Sequence, residues 1–315
     1  MNKEINITGK ADIIISGAGI FGCIAAVTAA KKGHTVYLTE RYAHPTGAFI
    51  NQLIELTHDC TFPQILKSLE EKYYSFGKVL ARLIADDNCI YELKRTDEQC
   101  FLEVSIDHEV YKAAVIEALE TANVHCLMHT AVSNTVEFEG SKHVIIENKN
   151  GRSALQTDFY KETGISWNKL NGKTQWSIIY GIDNVNIDAL IGFLHKFGLG
   201  ELKSGTNYKS FTIADTSKPE YSEIAGEYIS MHPGQLTYCV NRFDYDLGAV
   251  ATPLSISNLK TAAQNESINK LRVLKNLLPG FEDAYVTWYQ YDLQPATNKT
   301  EFMEGYQFAN AYLQK

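Results

Sequence analysis

The chain has 315 residues, and 29 Lys and Arg stand against 37 Asp and Glu, a formal net charge of −8 with His neutral. That length suggests about two domains. The hydrophobic fraction of 45% and charged fraction of 21% are those of a globular protein and exclude bulk disorder. An acidic chain without a basic run is also a poor match for nucleic acid or an anionic membrane surface.

The N-terminus, MNKEINITGKADIIIS, stays polar until the run Ile13–Ile15, which is too short for a secretory signal. No stretch reaches the roughly 18 apolar residues of a membrane helix. A soluble, cytoplasmic protein is expected. The six cysteines are Cys23, Cys60, Cys89, Cys100, Cys126 and Cys239, and none forms a CxxC. In a chain this long, that pattern points to reduced thiols rather than a disulfide scaffold or a structural zinc site.

Residues 11–16, ADIIIS, are an apolar run rich in β-branched side chains, as expected of a buried parallel strand. Gly17-Ala18-Gly19-Ile20-Phe21-Gly22 follows directly, a GxGxxG. A helix of small residues then runs to Gly33, and a second strand, Thr35–Thr39, ends in Glu40. Each part has a physical task. Gly17 permits the tight strand-to-helix turn, Gly19 lets a pyrophosphate approach the backbone, and Gly22 lets helix and strand pack closely. The free N–H groups at Ile20 and Phe21, with the positive end of the helix dipole, meet phosphate charge. Glu40 can accept ribose hydroxyls and repels a 2′-phosphate, which disfavours NADP. Together these parts make a dinucleotide-binding βαβ unit.

The block GAGIFGCIAAVTAAKKGHTVYLTERYAHPTG resembles the N-terminus of the FAD-dependent oxidoreductases related to glutathione reductase, in particular the broad family that includes the flavin subunit of heterodisulfide reductases. The resemblance implies a Rossmann-like α/β domain over residues 1–165, with a parallel sheet and a β-meander, and FAD as cofactor. It implies cofactor contacts at Gly17, Ala18, Gly19, Ile20, Phe21, Gly22, Glu40, Arg41 and Gly47. A second block, Ser105–Gly151, fits the same pattern. Asp107 is a helix cap, Tyr111, Val115, Ala118 and Ala122 form a stripe, a strand covers 125–129, and short segments follow near 133–138, 143–148 and 153–157. By resemblance, Thr130-Ala131-Val132 places the Val132 backbone against the adenine. The block Leu278–Tyr285 resembles a helix-to-strand junction in the family's substrate domain.

Several features depart from that pattern. The glycine pair after the strand-end acid is reduced to Thr46-Gly47. Thr163-Gly164 survives without the apolar run expected before it. The later Gly-Asp motif and the arginine-rich stretch have no match, and the chain ends where relatives continue, as in a C-terminally shortened member.

Residues 62–86 carry apolar side chains at 66, 69, 73, 76, 80 and 83, a helical spacing that fits a plain packing helix, and the resemblance implies an insertion of about 60–100 over the cofactor. From 166 to 315 the chain reads as an α+β substrate domain, with strands at 176–180, 208–213, 236–240 and 284–291 and a helix at 257–278. His44 and His58 are candidate proton donors, whereas His125 and His129 read as structural and His232-Pro233-Gly234 as a turn. Cys60 follows His58-Asp59, but without a partner cysteine a disulfide reductase is not expected. Tyr73-Tyr74 and Trp288–Tyr291 read as core or as pocket lining. No catalytic residue and no metal ligand is assigned. The resulting expectation is an oxidoreductase passing hydride or electrons between a small-molecule substrate and FAD. The alternatives are a non-catalytic or partner-dependent FAD- or ADP-binding protein, and an NAD-dependent enzyme. A homo-oligomer or a partner chain fits the aromatic second half.

Overall fold

The computed structural model describes residues 5–57, 61–96, 99–163, 172–204, 209–213, 219–290, 293 and 300–312. The chain forms two compact units, residues 1–164 with 298–315, and residues 165–297. The C-terminal segment, expected in the second domain, clusters with the first unit.

In the first unit, β1 (Ile7–Ser16) buries Ile13, Ile14 and Ile15, and α1 (Ile20–Lys31) is buried on nearly every side from Ile20 to Ala29. A helix that apolar all round has to lie inside the protein. Next come β2 (Val36–Thr39), β3 (Gln52–Leu56), α2 (Phe62–Ala85), β4 (Cys89–Arg95), β5 (Cys100–Ile106), α3 (His108–Thr121) and β6 (His125–Leu127). The meander β7 (Ala131–Phe138), β8 (Ser141–Asn148) and β9 (Gly151–Glu162) follows.

The main sheet has the order β6-β2-β1-β9-β8-β7. Strand β1 lies parallel to β2 and β9, and β2 parallel to β6, whereas β7, β8 and β9 pair antiparallel. Strand β9 belongs to both parts, since Gly151–Thr157 pairs with β8 while 154–162 pairs with β1. The meander therefore delivers the chain directly to the carboxyl end of the parallel strands. A small sheet, β3-β5-β4, is built between α1 and α3 in sequence and was not evident from the apolar pattern. Asp107 caps α3 through Oδ1, which accepts from the N–H of Glu109 and Val110.

The expected helix over 62–86 forms, but it breaks at Tyr74, whose φ of 58° and ψ of −129° are not helical. Gly77 then lies so close to the Leu69 carbonyl that an added Cβ would stand 1.9 Å from its oxygen. Regular apolar spacing continues through such a kink, so it hides the break.

The second unit contains β10 (Lys173–Asp183), α4 (Ile187–Phe197), β11 (Glu201–Ser204), β12 (Lys209–Ile213), a 3-10 turn (Pro219–Ile224), β13 (Gly226–Ser230), β14 (Gln235–Asp246), α5 (Pro253–Leu277) and β15 (Tyr285–Tyr289). Its sheet has the order β11-β12-β13-β14-β10-β15. Trp176, Ile178 and Tyr180 of β10 share a core with Leu190 and Leu194 of α4 and Leu259 and Leu274 of α5.

The last helix, α6 (Glu301–Tyr312), was not foreseen and joins the first unit. Phe302 sits among Phe49, Tyr73 and Phe76, with ring centroids 4.8–6.0 Å away. Gly305 faces the first turn of α1, where an added Cβ would stand 2.3 Å from Ile24 Cγ2 and 2.5 Å from the Phe21 carbonyl oxygen. Replacing Gly305 by Leu should therefore push α6 off α1 and cost about 1–3 kcal/mol, read as a lower urea midpoint.

Candidate nucleotide-binding site

Strand β1 ends in Gly17, whose N–H donates to the Thr39 carbonyl oxygen at 2.8 Å and whose φ is +104°. A Cβ on Gly22 would lie 2.0 Å from the Gly17 carbonyl oxygen, so only glycine allows this approach of helix to strand end. Thr163 fastens the same turn, with its hydroxyl 2.8 Å from the Ser16 carbonyl oxygen and 2.9 Å from that of Gly17. Of the Thr163-Gly164 pair, the glycine lies outside the described residues.

Gly19 caps α1 without a side chain, and no acidic residue stands in the first helical turn. The leading N–H groups of a helix have no partner within it. A Cβ built on Gly19 would meet nothing within 4 Å. Open space therefore faces uncapped donors and the positive end of the helix dipole, which is the environment an anion requires.

Glu40 is 3% exposed. Its Oε2 accepts from the Ala18 N–H at 2.8 Å and the Thr46 hydroxyl at 3.4 Å, and its Oε1 accepts from the Tyr42 N–H at 3.1 Å. A carboxylate has about four acceptor positions, so three are engaged within the protein. The acid expected to receive ribose hydroxyls also ties the glycine loop to the loop after β2. That second loop crosses back over α1, as the Thr46 N–H donates to the Ala18 carbonyl oxygen at 2.9 Å and Gly47 faces Ile20.

A further set of backbone bonds joins β2 to the end of β6. Glu40 N–H donates to Leu127 O, Thr130 N–H to Glu40 O and His129 N–H to Tyr42 O, at 2.7–2.9 Å. This brings the segment 128–132 beside Glu40. The Val132 side chain packs against the core of Ala11, Ile14, Val144, Ile146 and Leu155. The Arg41 guanidinium lies 5.1 Å from the centroid of the Tyr42 ring. Glu40 and the Thr46-Gly47 step thus meet the glycine loop at Ala18 and Ile20.

His44 has its Nδ1 2.9 Å from the Pro45 carbonyl oxygen. His58 and Cys60 lie outside the described residues. His125 stacks on Tyr37 at 4.7 Å, and His129 has a φ of +52°. Tyr73 is buried and donates its hydroxyl to the Glu55 carbonyl oxygen, a packing role. The Trp288 indole lies against the Gly181 backbone and meets Tyr238 edge-on at 5.6 Å. Burial pushes the Cys23 thiol well up, so it is not a reactive nucleophile. No disulfide joins the described cysteines, no three described His, Cys, Asp or Glu side chains could share a metal ion, and no described helix is long and apolar enough to cross a membrane.

Two further titratable groups have shifted pKa values. Glu301, in the first turn of α6, is pushed up to about 7 by burial and by Glu304. His108, which follows the Asp107 cap, is lowered to about 4 by burial and by Lys112. Neither belongs to a motif, since their environments arise only when distant segments pack.

Residues 12–160 match the model of the family described as FAD dependent oxidoreductase. No curated protein matches the sequence at a significant level. Among solved structures, a geranylgeranyl bacteriochlorophyll reductase-like protein from Thermoplasma acidophilum is 11% identical with a TM-score of 0.53, the match covering 97% of this chain and 78% of that one. An L-amino acid deaminase from Proteus vulgaris is 12% identical with a TM-score of 0.51, over 100% of this chain and 96% of that one. A flavoprotein/dehydrogenase from Cytophaga hutchinsonii is 11% identical with a TM-score of 0.50, over 97% and 79%. At such identities the likeness is one of fold.

The His108 environment has a measurable consequence. Its pKa falls from 6.5 when exposed to about 4 in the folded protein, so between those values the unfolded chain binds the extra proton. Stability should therefore decline as pH falls through that window. His108→Gln should flatten this part of the acid slope, measured by urea denaturation at about pH 7 and about pH 5.

Proposed function

We propose that this chain, whose residues 12–160 match the FAD dependent oxidoreductase family model, passes hydride or electrons between a small-molecule substrate and FAD held across the carboxyl ends of β2, β1 and β9. The observation that carries this reading is the uncapped N-terminus of α1 facing open space at Gly19. The N–H groups of Ile20 and Phe21 would receive the pyrophosphate, and Gly17 and Gly22 hold the turn that aims them. Glu40 has one acceptor position left for a ribose hydroxyl, and the backbone near Val132, with Arg41, would border the adenine. Gly47 keeps the second loop close to the phosphates. When bound, FAD supplies the two-electron acceptor and donor. The chain's own contribution is to bind and orient it, and Thr163 and Glu40 do this by fixing the two loops.

This residue set supports FAD over NADP, because a 2′-phosphate would meet the Glu40 carboxylate.

Replacing Gly19 by Leu fills the open space without touching the Gly22–Gly17 approach. The purified variant should keep its far-UV spectrum and urea midpoint while retaining less than about one tenth of the flavin. Full flavin occupancy in that variant would reject the site. Anaerobic mixing of the parent protein with small-molecule reductants, followed by its visible spectrum, tests the redox part. Flavin that no such donor bleaches would favour a purely structural cofactor.

A further inference from the structure

The second unit carries a cavity of about 860 Å³ that the cofactor reading does not use. Its walls come from β10, β12, β13, β14, α5 and the 3-10 turn at 219–224, and its size suits a small metabolite. Both signs of charge line it. Lys270 and Arg242 contribute cations, and Glu223, Glu227 and Glu266 contribute carboxylates.

Accounting for hydrogen bonds shows which of these groups are engaged. Lys270 Nζ donates to the carbonyl oxygens of Glu223 and Ala225, at 2.5 and 2.7 Å. An ammonium has three donors, so one N–H remains. Arg242 spends Nη2 on Glu227 Oε1 at 3.3 Å and keeps its other donors. Glu266 stands one turn before Lys270 on α5, the spacing of a helical ion pair. The lysine turns instead to the carbonyl groups, and among the described residues neither Glu266 nor Glu223 has an ion-pair partner. Burial lowers the Lys270 pKa to about 8, and both carboxylates act on it electrostatically. Its ammonium is therefore short of solvation and gains from a nearby anion.

An anion alone would enter a cavity with three carboxylates. A cation alone would meet two cations. A ligand carrying both charges on a short skeleton satisfies the groups that remain. We propose that this cavity binds a small zwitterion, its carboxylate toward Arg242 and the remaining N–H of Lys270, its ammonium toward Glu266 and Glu223. All the residues that line the site belong to the second unit.

The test uses the full chain and three four-carbon probes, namely 2-aminobutanoate, butanoate and butylamine, in calorimetric titration. The zwitterion should bind at least about tenfold more tightly than either singly charged probe. Glu266→Gln and Arg242→Gln should each weaken it by about tenfold while flavin content stays unchanged. In the parent protein, hydrogen exchange should slow at 221–227 and 266–273 when the zwitterion is present. Equal binding of all three probes, zwitterion affinity unchanged in both variants, protection confined to other segments, or no binding at millimolar concentration would each overturn the proposal.

Discussion

The carbonyl oxygen of Gly17 lies where a Cβ on Gly22 would stand 2.0 Å away. That approach lets α1 begin directly over the end of β1. It also leaves the first turn of the helix without a side-chain cap and facing open space. An uncapped helix start inside a folded unit leaves donors unsatisfied, an arrangement that a phosphate resolves. The alanine-rich face of α1, the parallel register of β1 with β2 and β9, and the close seat of α6 at Gly305 all build on this geometry.

Glu40 is the second organising point. A single buried carboxylate accepts from the glycine loop at Ala18 and from the following loop at Tyr42 and Thr46. Thr46 occupies a place where the resembled family carries glycine, and here its hydroxyl reaches the carboxylate. The acid thus serves the protein's own loops as well as a ribose. Removing it would disturb the cradle even without cofactor, because buried donors would be left unpaired.

Much of the first unit was legible in the sequence because its signals are local. The strand, the glycines, the small-residue helix and the strand-end acid are contiguous, and the meander was marked by alternating segments between turns. The sequence shows no apolar run before Thr163. In the structure 153–162 is nevertheless one strand, its register set by β1 and β8 rather than by its own hydrophobicity. The helix α6 escaped notice because its partner surface, Phe21 and Ile24 on α1, lies far away in sequence. The Tyr74 break escaped because helical spacing persists through a kink. His108 and Glu301 carry no motif, and only packing gives them their environments.

The most direct measurement is the nucleotide content of the purified full chain, by visible spectrum, heat release and chromatography. A cradle that holds a dinucleotide through the start of α1 and Glu40 predicts a yellow protein that releases FAD at near one per chain. A colourless protein that takes up neither FAD nor ADP when they are added would contradict it.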